Sequence, residues 1–464
     1  MTRSEKLYVG PQFRRLRREL GLTQAAMAEA LDVSASYVNL IEHGQRALSA
    51  TVLLRLSEVF GIDPKTFAAR GASEARERIA AALKDPLFKS LDLDREEIVD
   101  LTLGSPGMAE AFTTLYAAYA EAQLALADRR GRVDLASDPL EEARRFLSAR
   151  RNHFPAIEDA AEAIAGTAGH TSGLADYLSS AHGYGLRYLP SDAMAGAVRR
   201  LDRHRRELVI ADTLDAAGRA FQLALQIAYL GLDRKLDAAV NEARFSGDQA
   251  RRIARRAVAN YAAAAILMPY DRFYRAVEAR RYDIEAVARH FGVSFEQCAH
   301  RMTTLQRRGF EGIPFFFLRV DQAGNVSKRL DGGGFPFARH GGSCPLWKVH
   351  DAFRRPREVL TQVVELPDGA RFFSIARTVT AGGGRFGATR VDRAVALGCR
   401  LEDAGRTVYA EGIDPEAAPA TPIGVTCRLC HRNHCAARAH PPIGRALMAD
   451  DYRRMAAPYG FAQD

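Results

Sequence analysis

Short helical patterns fill the first sixty residues of the chain. Apolar residues recur at three- and four-residue spacing within Phe13–Leu20, which places them on one face of a helix. Thr23 and Ser34 are polar residues of the kind that cap helix starts, and each precedes another such pattern. After the first helix, the pattern predicts helices over 24–31 and 35–43 and a fourth carrying Leu53, Leu56 and Phe60.

The chain continues as mostly helical sequence as far as residue 310. Long helices are predicted over Ala72–Lys84 and Met108–Arg129, the second rich in Ala and Leu. Another helix opens at Pro139, with polar caps before it and acidic residues in its first turn. One stretch, Glu207–Ala211, has the composition of a strand.

The pattern changes after residue 310. Strands are predicted over 313–320, 358–365 and 371–379, with a turn at Gly324-Asn325 and glycine-rich loops at 332–334 and 382–384. The chain is therefore predicted to have an α+β fold that is mostly helical, with its strands concentrated towards the C-terminus.

Composition and charge narrow the class of protein only modestly. The 464 residues are 47% hydrophobic and 26% charged, as in ordinary globular proteins, and the net charge of +9 favours polyanionic partners. The sequence has no apolar run of about 18 residues that would span a membrane, and its polar start lacks a signal-peptide core. We expect a cytoplasmic protein, where six cysteines are not expected to form structural disulfides.

The two short helices capped by Thr23 and Ser34 match a helix-turn-helix. The second of them would enter the major groove by its N-terminal end, and arginines would contact phosphates. The candidate DNA-binding residues are Gln24, Ser34, Ser36, Tyr37, Asn39, Arg14 and Arg46, with Arg17 as a further phosphate contact.

The markers Leu22-Thr-Gln-Ala-Ala-Met-Ala, Val33-Ser-Ala-Ser-Tyr-Val and Ile41-Glu-His-Gly resemble the XRE (lambda-repressor-like) helix-turn-helix. That resemblance implies binding to double-stranded DNA. Two alternatives remain: a helical bundle with no role on DNA, and the same fold used to bind a protein.

A second resemblance lies in the middle of the chain. The stretches 259–269, 284–294 and 301–305 are similar to the ImmA/IrrE-type zinc metallopeptidases, in which a His-Glu-x-x-His helix binds zinc and activates water. The matching positions here are Leu225, Gln226 and Tyr229. Since Leu does not bind zinc and Gln is a poor general base, we predict that this domain is not an enzyme.

The densest chemical signal is Cys427-Arg-Leu-Cys430-His-Arg-Asn-His-Cys435. Three thiolates at this spacing can share one metal or cluster, and Cys399 is predicted as the fourth ligand. Zinc and an iron–sulfur cluster both suit four thiolates, and zinc could also recruit His431, His434 or His440.

The cysteines also allow three further interpretations. Cys427-x-x-Cys430-His431 matches covalent haem attachment, which requires export, and a thioredoxin-type pair requires a βαβ setting. Burial of unrelated cysteines is the third. Cys298 is predicted to lie in the core and Cys344 to be a loop residue.

The order of these parts resembles the short-chain fatty-acyl regulator family along nearly the whole chain. Supporting stretches are 149–153, 313–320, 324–329, 342–347, 422–427 and 438–442. The predicted domains are a helix-turn-helix (8–68), a helical linker and dimerisation region (72–152), a degenerate peptidase-like ligand-sensing domain (153–310) and an α+β domain with the cysteine cluster (311–464).

The resemblance implies an acyl-CoA effector, control of propionate, acetate or related acyl-CoA metabolism, and a [4Fe–4S] cluster on the four cysteines, with zinc as the alternative. A CoA pocket needs cations for phosphates and an aromatic surface for adenine. The candidate ligand-binding residues are Tyr188, Arg219, Tyr270, Arg329 and Lys348.

The sequence therefore predicts a homodimer that binds a two-fold operator and changes its grip on DNA with the effector. Two competing functions remain. One is a DNA-binding metallopeptidase that cleaves a repressor, and the other is a phage- or antitoxin-type repressor without a small-molecule effector.

Overall fold

The computed structural model describes residues 10–43, 45–46, 48–60, 70–83, 85–88, 95–128, 138–169, 171–190, 192–337, 343–382, 386–445, 447–448, 452 and 455–461. Residue contacts divide the chain into two compact units. The first contains residues 1–130 with the short segments 367–369 and 443–446, and the second contains the rest. No helix among the described residues is long and apolar enough to cross a membrane.

All the regular secondary structure in the described part of the first unit is helical. Their bounds are α1 Gly10–Glu19, α2 Gln24–Ala30, α3 Ala35–Glu42, α4 Ala50–Phe60, α5 Arg70–Ala82, α6 Arg95–Gly104 and α7 Pro106–Asp128. A small apolar core holds the first four together, and its fully buried members include Phe13, Met27, Leu31, Val38 and Ile41. The four predicted N-terminal helices are thus present.

The helices α5, α6 and α7 pack against one another in a second helical group. The Phe88 ring lies 5.8 Å from the Phe112 ring and 5.9 Å from the Tyr116 ring, measured between centroids. The Tyr116 hydroxyl donates to Asp85 Oδ2 at 2.9 Å. The predicted helices 72–84 and 108–129 correspond to α5 and α7.

The second unit combines nine helices among its described residues with two larger sheets and a two-stranded ribbon. The helices are α8 Pro139–Ser148, α9 Pro155–Ala168, α10 Leu174–His182, α11 Ala216–Gly231, α12 Asp233–Asn241, α13 Asp248–Leu267, α14 Tyr270–Ala279, α15 Ile284–Phe291 and α16 Phe295–Met302. The strands are β1 Gly185–Leu189, β2 Arg199–Asp202, β3 Glu207–Ala211, β4 Gln306–Arg307, β5 Phe310–Glu311, β6 Phe316–Val320, β7 Val326–Leu330, β8 Leu360–Glu365, β9 Arg371–Gly382, β10 Arg390–Arg400 and β11 Thr421–Pro422.

The smaller sheet has the order β1-β3-β2, with β1 parallel and β2 antiparallel to the central strand. Tyr188 and Arg199 both pair with Ile210, so the three residues form one row across the sheet. Paired residues point to the same face of a sheet. Ile210 is fully buried in the core that includes α11, so this row faces that helix.

The larger sheet has the order β11-β8-β9-β10-β6-β7 and separates two apolar cores. Successive residues of β10 alternate between them: Val395 and Leu397 join the core that contains the helices, whereas Ala394 and Ala396 face Trp347 and its neighbours. A shift of one residue along this strand therefore moves a side chain to the other face.

A buried ion pair joins helices that are far apart in sequence. Glu158 on α9 and Arg301 on α16 have side chains 1% and 0% exposed, and two parallel hydrogen bonds of 2.6 and 2.8 Å connect them. The Tyr261 hydroxyl also donates to Glu158, and Arg301 donates to the carbonyl oxygen of Met268 at the end of α13. The polar groups of this cluster therefore satisfy one another inside the core.

Electrostatics keep the pair ionised. Burial by itself would raise the pKa of Glu158, but the charge and hydrogen bonds of Arg301 outweigh it and hold this pKa below its ordinary value. The stabilisation is therefore fully present above the pKa of an unfolded Glu, and it is lost as the pH falls through the lower folded-state value.

Glu158→Gln should lower stability strongly, because it leaves the Arg301 charge buried without a carboxylate. Breaking a buried pair in this way costs about 3–5 kcal/mol. Urea unfolding followed by circular dichroism should show an earlier midpoint. The control is Glu242→Gln, which removes the partner of Arg150 in a pair whose carboxylate is 68% exposed. Equal midpoints for the two variants would contradict the role of the buried pair.

Candidate DNA interface and ligand sites

Side-chain caps position the two central helices of the N-terminal core. The Thr23 hydroxyl accepts from the Ala26 N–H at 3.1 Å, and the Ser34 hydroxyl accepts from the Tyr37 N–H at 3.1 Å. Both caps were predicted, and Asp32 supplies the left-handed residue between the helices, with φ of +51°. The capped helices and their tight turn form the helix-turn-helix.

Glu42 at the end of α3 is the polar centre of this module. Its carboxylate is 1% exposed and accepts from Arg17 Nε at 2.5 Å and from Gln24 Nε2 at 2.7 Å. Burial opposes ionisation of Glu42, but these bonds together lower its pKa. The network ties α1, α2 and α3 together. Glu42 was not predicted as a key residue, and its position in the Ile41-Glu-His-Gly marker was its only signal in the sequence.

This network changes the interpretation of two arginines. Arg17 was predicted as a phosphate contact, but its side chain is only 13% exposed and it pairs with Glu42, so its role is in the packing of the module. Arg14 donates to His43 Nε2 at 3.1 Å and lies 3.5 Å from Glu42 Oε2. It remains half-exposed at the surface, and its phosphate contact stays a prediction.

The exposed side of α3 carries the other predicted DNA contacts. Ser34, Ser36 and Asn39 are exposed there. The Arg46 guanidinium lies 5.2 Å from the centroid of the half-buried Tyr37 ring, so these two side chains form one patch. Gln24 donates weakly to Asn39 Oδ1 at 3.4 Å, which places both amides at the same edge.

A small pocket in the second unit brings four cysteines together. Its lining residues include Cys344, Cys427, Cys430, Cys435, Gly424, Arg432 and Arg438. A Cβ on Gly424 would lie 2.8 Å from Cys430 Sγ, so only glycine fits against that thiol. The three histidines that were considered as zinc ligands are not among the residues that line the pocket.

Backbone N–H groups are directed at these sulfurs. Burial raises the pKa of Cys344, but N–H donors at Gly424 and Leu346 partly offset that effect by favouring the thiolate. The Ala439 N–H donates to Cys427 Sγ at 3.4 Å. The described side chains contain no ready-made metal site of three or more His, Cys, Asp or Glu ligands.

The buried Arg438 stabilises the loop 427–435, which carries three of these cysteines and is called the cysteine loop. Its guanidinium donates to the carbonyl oxygens of Cys427 at 3.1 Å, Cys430 at 3.0 Å and Arg432 at 2.6 Å. The Cys427 carbonyl also accepts from the Cys430 N–H at 3.3 Å, and Arg438 connects all three carbonyls, so it braces the loop from inside.

The structure places Cys399, the predicted fourth ligand, apart from the other three cysteines. Cys399 lies on β10 opposite Phe373, is fully buried, and belongs to the core that contains the helices. Cys344 belongs to the core on the other face of the sheet, and it lines the pocket with the other three cysteines. The alternation of side chains along β10 places Cys399 on the face of the sheet opposite to Cys344.

The altered peptidase helix is α11. Leu225 and Gln226 are buried on it, and Tyr229 lies one turn further on. The Tyr229 ring is flanked by two guanidiniums, with Arg199 at 5.3 Å and Arg255 at 5.7 Å from its centroid. An aliphatic side chain and a phenol thus stand at the positions where the metallopeptidase pattern has histidines.

The five predicted ligand-binding residues do not form one site. Tyr188 and Arg219 come together, with the guanidinium 5.0 Å from the ring centroid, and Tyr188 is 44% exposed. Tyr270 is fully buried with its hydroxyl bonded to the backbone at Phe310 and Arg307. Arg329 is buried and paired with Glu141, and Lys348 binds the Thr361 carbonyl on the larger sheet.

Two of these assignments are therefore corrected. The ring and hydroxyl of Tyr270 are enclosed by protein, and the charge of Arg329 is matched by Glu141, so neither presents a free surface to a ligand in this structure. Lys348 contacts β8 of the larger sheet, whereas Tyr188 lies on the smaller sheet and Arg219 on α11.

The fold and the helix-turn-helix define a DNA-binding transcriptional regulator, and comparisons with known proteins agree. Three family models match: helix-turn-helix over residues 13–67, IrrE N-terminal-like domain over 180–303, and short-chain fatty acyl coenzyme A regulator, C-terminal, over 304–459. The chain belongs to the family of short-chain fatty acyl coenzyme A regulators.

Full-length relatives support this assignment. The chain is 39% identical over 473 residues to the HTH-type transcriptional regulator RamB of Mycobacterium tuberculosis, covering 98% of each protein. It is 40% identical over 468 residues to the propionyl-CoA carboxylase regulator of Cereibacter sphaeroides, covering 98% of this chain and 99% of that one. A solved Mycobacterium tuberculosis transcriptional regulator superposes with a TM-score of 0.65 at 39% identity, over 70% of this chain and 99% of that chain.

Ser36→Ala and Asn39→Ala should each weaken binding to a fragment of the protein's own promoter about 10-fold, because each removes a base-edge contact. The slope of affinity against salt should not change, since neither residue neutralises a phosphate. Fluorescence anisotropy measures both quantities. Ser57→Ala on α4 is the control, and circular dichroism checks folding. Wild-type affinity in both α3 variants would show that α3 does not read the bases.

Proposed function

We propose that this regulator binds a short-chain acyl-CoA and thereby controls genes of propionate, acetate or related acyl-CoA metabolism. The family model over residues 304–459 and the name of the Cereibacter relative support this choice of effector. The observation that carries it in this chain is the pair formed by Tyr188 and Arg219. An exposed ring beside a guanidinium suits an adenine next to a phosphate.

The Tyr188–Arg219 pair lies where β1 meets the start of α11. Arg219 donates to the carbonyl oxygen of Asp212, which fixes its direction, while its Nε atom is buried without a hydrogen-bond partner among the described residues. A buried donor without a partner is costly, so an acceptor from a ligand would stabilise this arrangement. The site therefore has both the aromatic surface and the unsatisfied cation that a CoA nucleotide needs.

We propose that the IrrE-like domain serves binding and not peptide hydrolysis. At its helix, Leu225 offers no lone pair to a metal, and the Gln226 amide does not take up a proton as the Glu of the metallopeptidase pattern does. The domain would then contribute its shape and its surface residues to effector recognition.

We also propose that the cysteine pocket holds a [4Fe–4S] cluster, with Cys344, Cys427, Cys430 and Cys435 as its ligands. The fit rests on four thiols around one pocket, N–H groups directed at sulfur, and a glycine that leaves room beside Cys430. A cluster there would supply a covalent cross-link and sensitivity to oxidants. Closing around it requires the cysteine loop to draw its sulfurs together.

We propose a homodimer that uses α7. Met108 and Leu115 lie seven residues apart on this helix and are 64% and 70% exposed. This spacing places them on one face, and an exposed apolar face suits isologous helix packing. A two-fold pair of helix-turn-helix modules would then match a two-fold operator.

Propionyl-CoA should bind the wild-type protein, and Arg219→Gln and Tyr188→Ala should each weaken that binding about 10-fold, the loss expected for one charge-assisted contact or one stacked ring. Isothermal titration calorimetry measures the affinities. Arg187→Gln is the matched control, because Arg187 is 51% exposed on the same strand but points to the opposite face. Absence of binding, or equal affinities in all four proteins, would contradict the proposal.

Cys344→Ala should lose the metal centre, as Cys430→Ala should, whereas Cys399→Ala should keep it. Iron, sulfide and zinc per chain, measured on anaerobically purified protein, test this. About four irons and four sulfides in wild type and Cys399→Ala support the cluster. Stoichiometric zinc without iron would show that the pocket is a zinc site and not a cluster site. Metal that is lost in Cys399→Ala but kept in Cys344→Ala would overturn the proposed ligand set.

A further inference from the structure

Arg199 lies along the face of α11 that corresponds to the metal-binding face of the metallopeptidase pattern. Its Nη1 atom is 3.5 Å from the carbonyl oxygen of Gln222, and its guanidinium lies 5.3 Å from the Tyr229 ring centroid. Residues 222, 226 and 229 share one helix face, because they are three or four positions apart. A guanidinium thus approaches α11 where a metallopeptidase would carry its metal.

The charge of Arg199 is not matched by a carboxylate of the described residues. Their ion pairs connect Arg255 with Asp233 and Asp237, and Arg251 with Asp237, but none includes Arg199. Arg256, on the same helix as Arg255, is exposed and adds to the positive potential at Arg199. Cations therefore outnumber carboxylates at this point of the surface.

Burial makes this excess costly. Desolvation lowers the pKa of Arg199, and the charge of Arg256 lowers it further, while Tyr229 partly compensates. A half-buried guanidinium that stacks on an aromatic ring and keeps hydrogen-bond donors free is a typical receptor for a planar or tetrahedral oxyanion. An anion at this place would provide the acceptors that the described protein groups do not.

We propose that the altered metallopeptidase helix has become a phosphate-binding site, in which Arg199 replaces the metal and Tyr229 holds the guanidinium in position. Arg256 adds charge at the rim. The ligand class is a phosphorylated molecule, and a phosphate has the charge to match more than one guanidinium. The site rests on the proposed function only in that the phosphates of CoA are one source of this group.

The row Tyr188–Ile210–Arg199 gives the distance between this site and the Tyr188–Arg219 pair. Two strand spacings separate Tyr188 from Arg199, which corresponds to about 10 Å between their Cα atoms. Ile210 between them is fully buried. The two pairs are therefore distinct positions on opposite edges of one small sheet, and each can be tested without altering the other.

Isothermal titration calorimetry with propionyl-CoA, adenosine 3′,5′-bisphosphate and inorganic pyrophosphate tests this site. Arg199→Gln should weaken at least one of these probes about 10- to 100-fold, as expected when charge-assisted hydrogen bonds are lost. The affinity of Arg199→Lys should lie between those of the wild type and Arg199→Gln, because lysine keeps the positive charge but not the planar guanidinium. Arg203→Gln, at an exposed position of the same hairpin, is the control for loss of one positive charge.

The outcomes separate the two proposals. Weakened pyrophosphate binding in Arg199→Gln, with or without an effect on propionyl-CoA, supports the phosphate site. Equal affinities of wild type, Arg199→Gln and Arg199→Lys for every probe overturn it, even if propionyl-CoA binds well and the acyl-CoA proposal stands. If the wild-type protein binds pyrophosphate but not propionyl-CoA, the phosphate site is supported and the acyl-CoA proposal is overturned. Thermal unfolding of each variant confirms that it is folded. If Arg199→Gln does not fold, Arg199→Lys serves as the test.

Discussion

The ion pair between Glu158 and Arg301 is the interaction on which the second compact unit, the body of this regulator, depends. It connects α9 with α16 across 143 positions of sequence, and through Tyr261 and the Met268 carbonyl it also holds α13 in place. Helix α11 packs against α13, and the small sheet packs against α11, so the arginine–tyrosine pairs sit on a support that this buried pair fixes. A buried pair of charges tolerates little displacement, because separating its members would leave each desolvated and unpaired. The same principle operates on a smaller scale around Glu42, where one carboxylate joins three short helices.

Much of the N-terminal module could be predicted from local sequence. Thr23 and Ser34 act as caps because a hydroxyl can satisfy an N–H at a helix start, and this requires no knowledge of the rest of the fold. The strand β3 and the long helices α5 and α7 were predictable for the same reason, since their composition and period are local properties. The strands β1 and β2 were not predicted: their arginines and partly exposed positions resemble surface loop, and only pairing with β3 makes them strands.

The site residues show the limit of spacing arguments more clearly. Three of the four pocket cysteines could be found from their spacing, because a short loop brings them together. Whether Cys399 can join them depends on which face of β10 its side chain occupies, and that depends on strand register. Tyr270 and Arg329 have the right chemistry for a nucleotide, but the core encloses both. In contrast, the sequence showed which residues replace the peptidase pattern, but it did not show that Arg199 contacts Tyr229. That contact forms only because β2 pairs with β3.

Acyl-CoA binding in the body and DNA binding by the helix-turn-helix are, in our proposal, coupled in one protein. Thermodynamic coupling is reciprocal, so an effector that changes DNA affinity must itself bind with changed affinity when DNA is present. The most direct measurement is the dissociation constant for a promoter fragment, followed by anisotropy in the full-length protein as propionyl-CoA is added at fixed salt. We expect a shift of about 5-fold or more that saturates over the concentration range in which propionyl-CoA binds the free protein. A dissociation constant that stays the same at every propionyl-CoA concentration, in a protein that binds both ligands, would contradict the coupling.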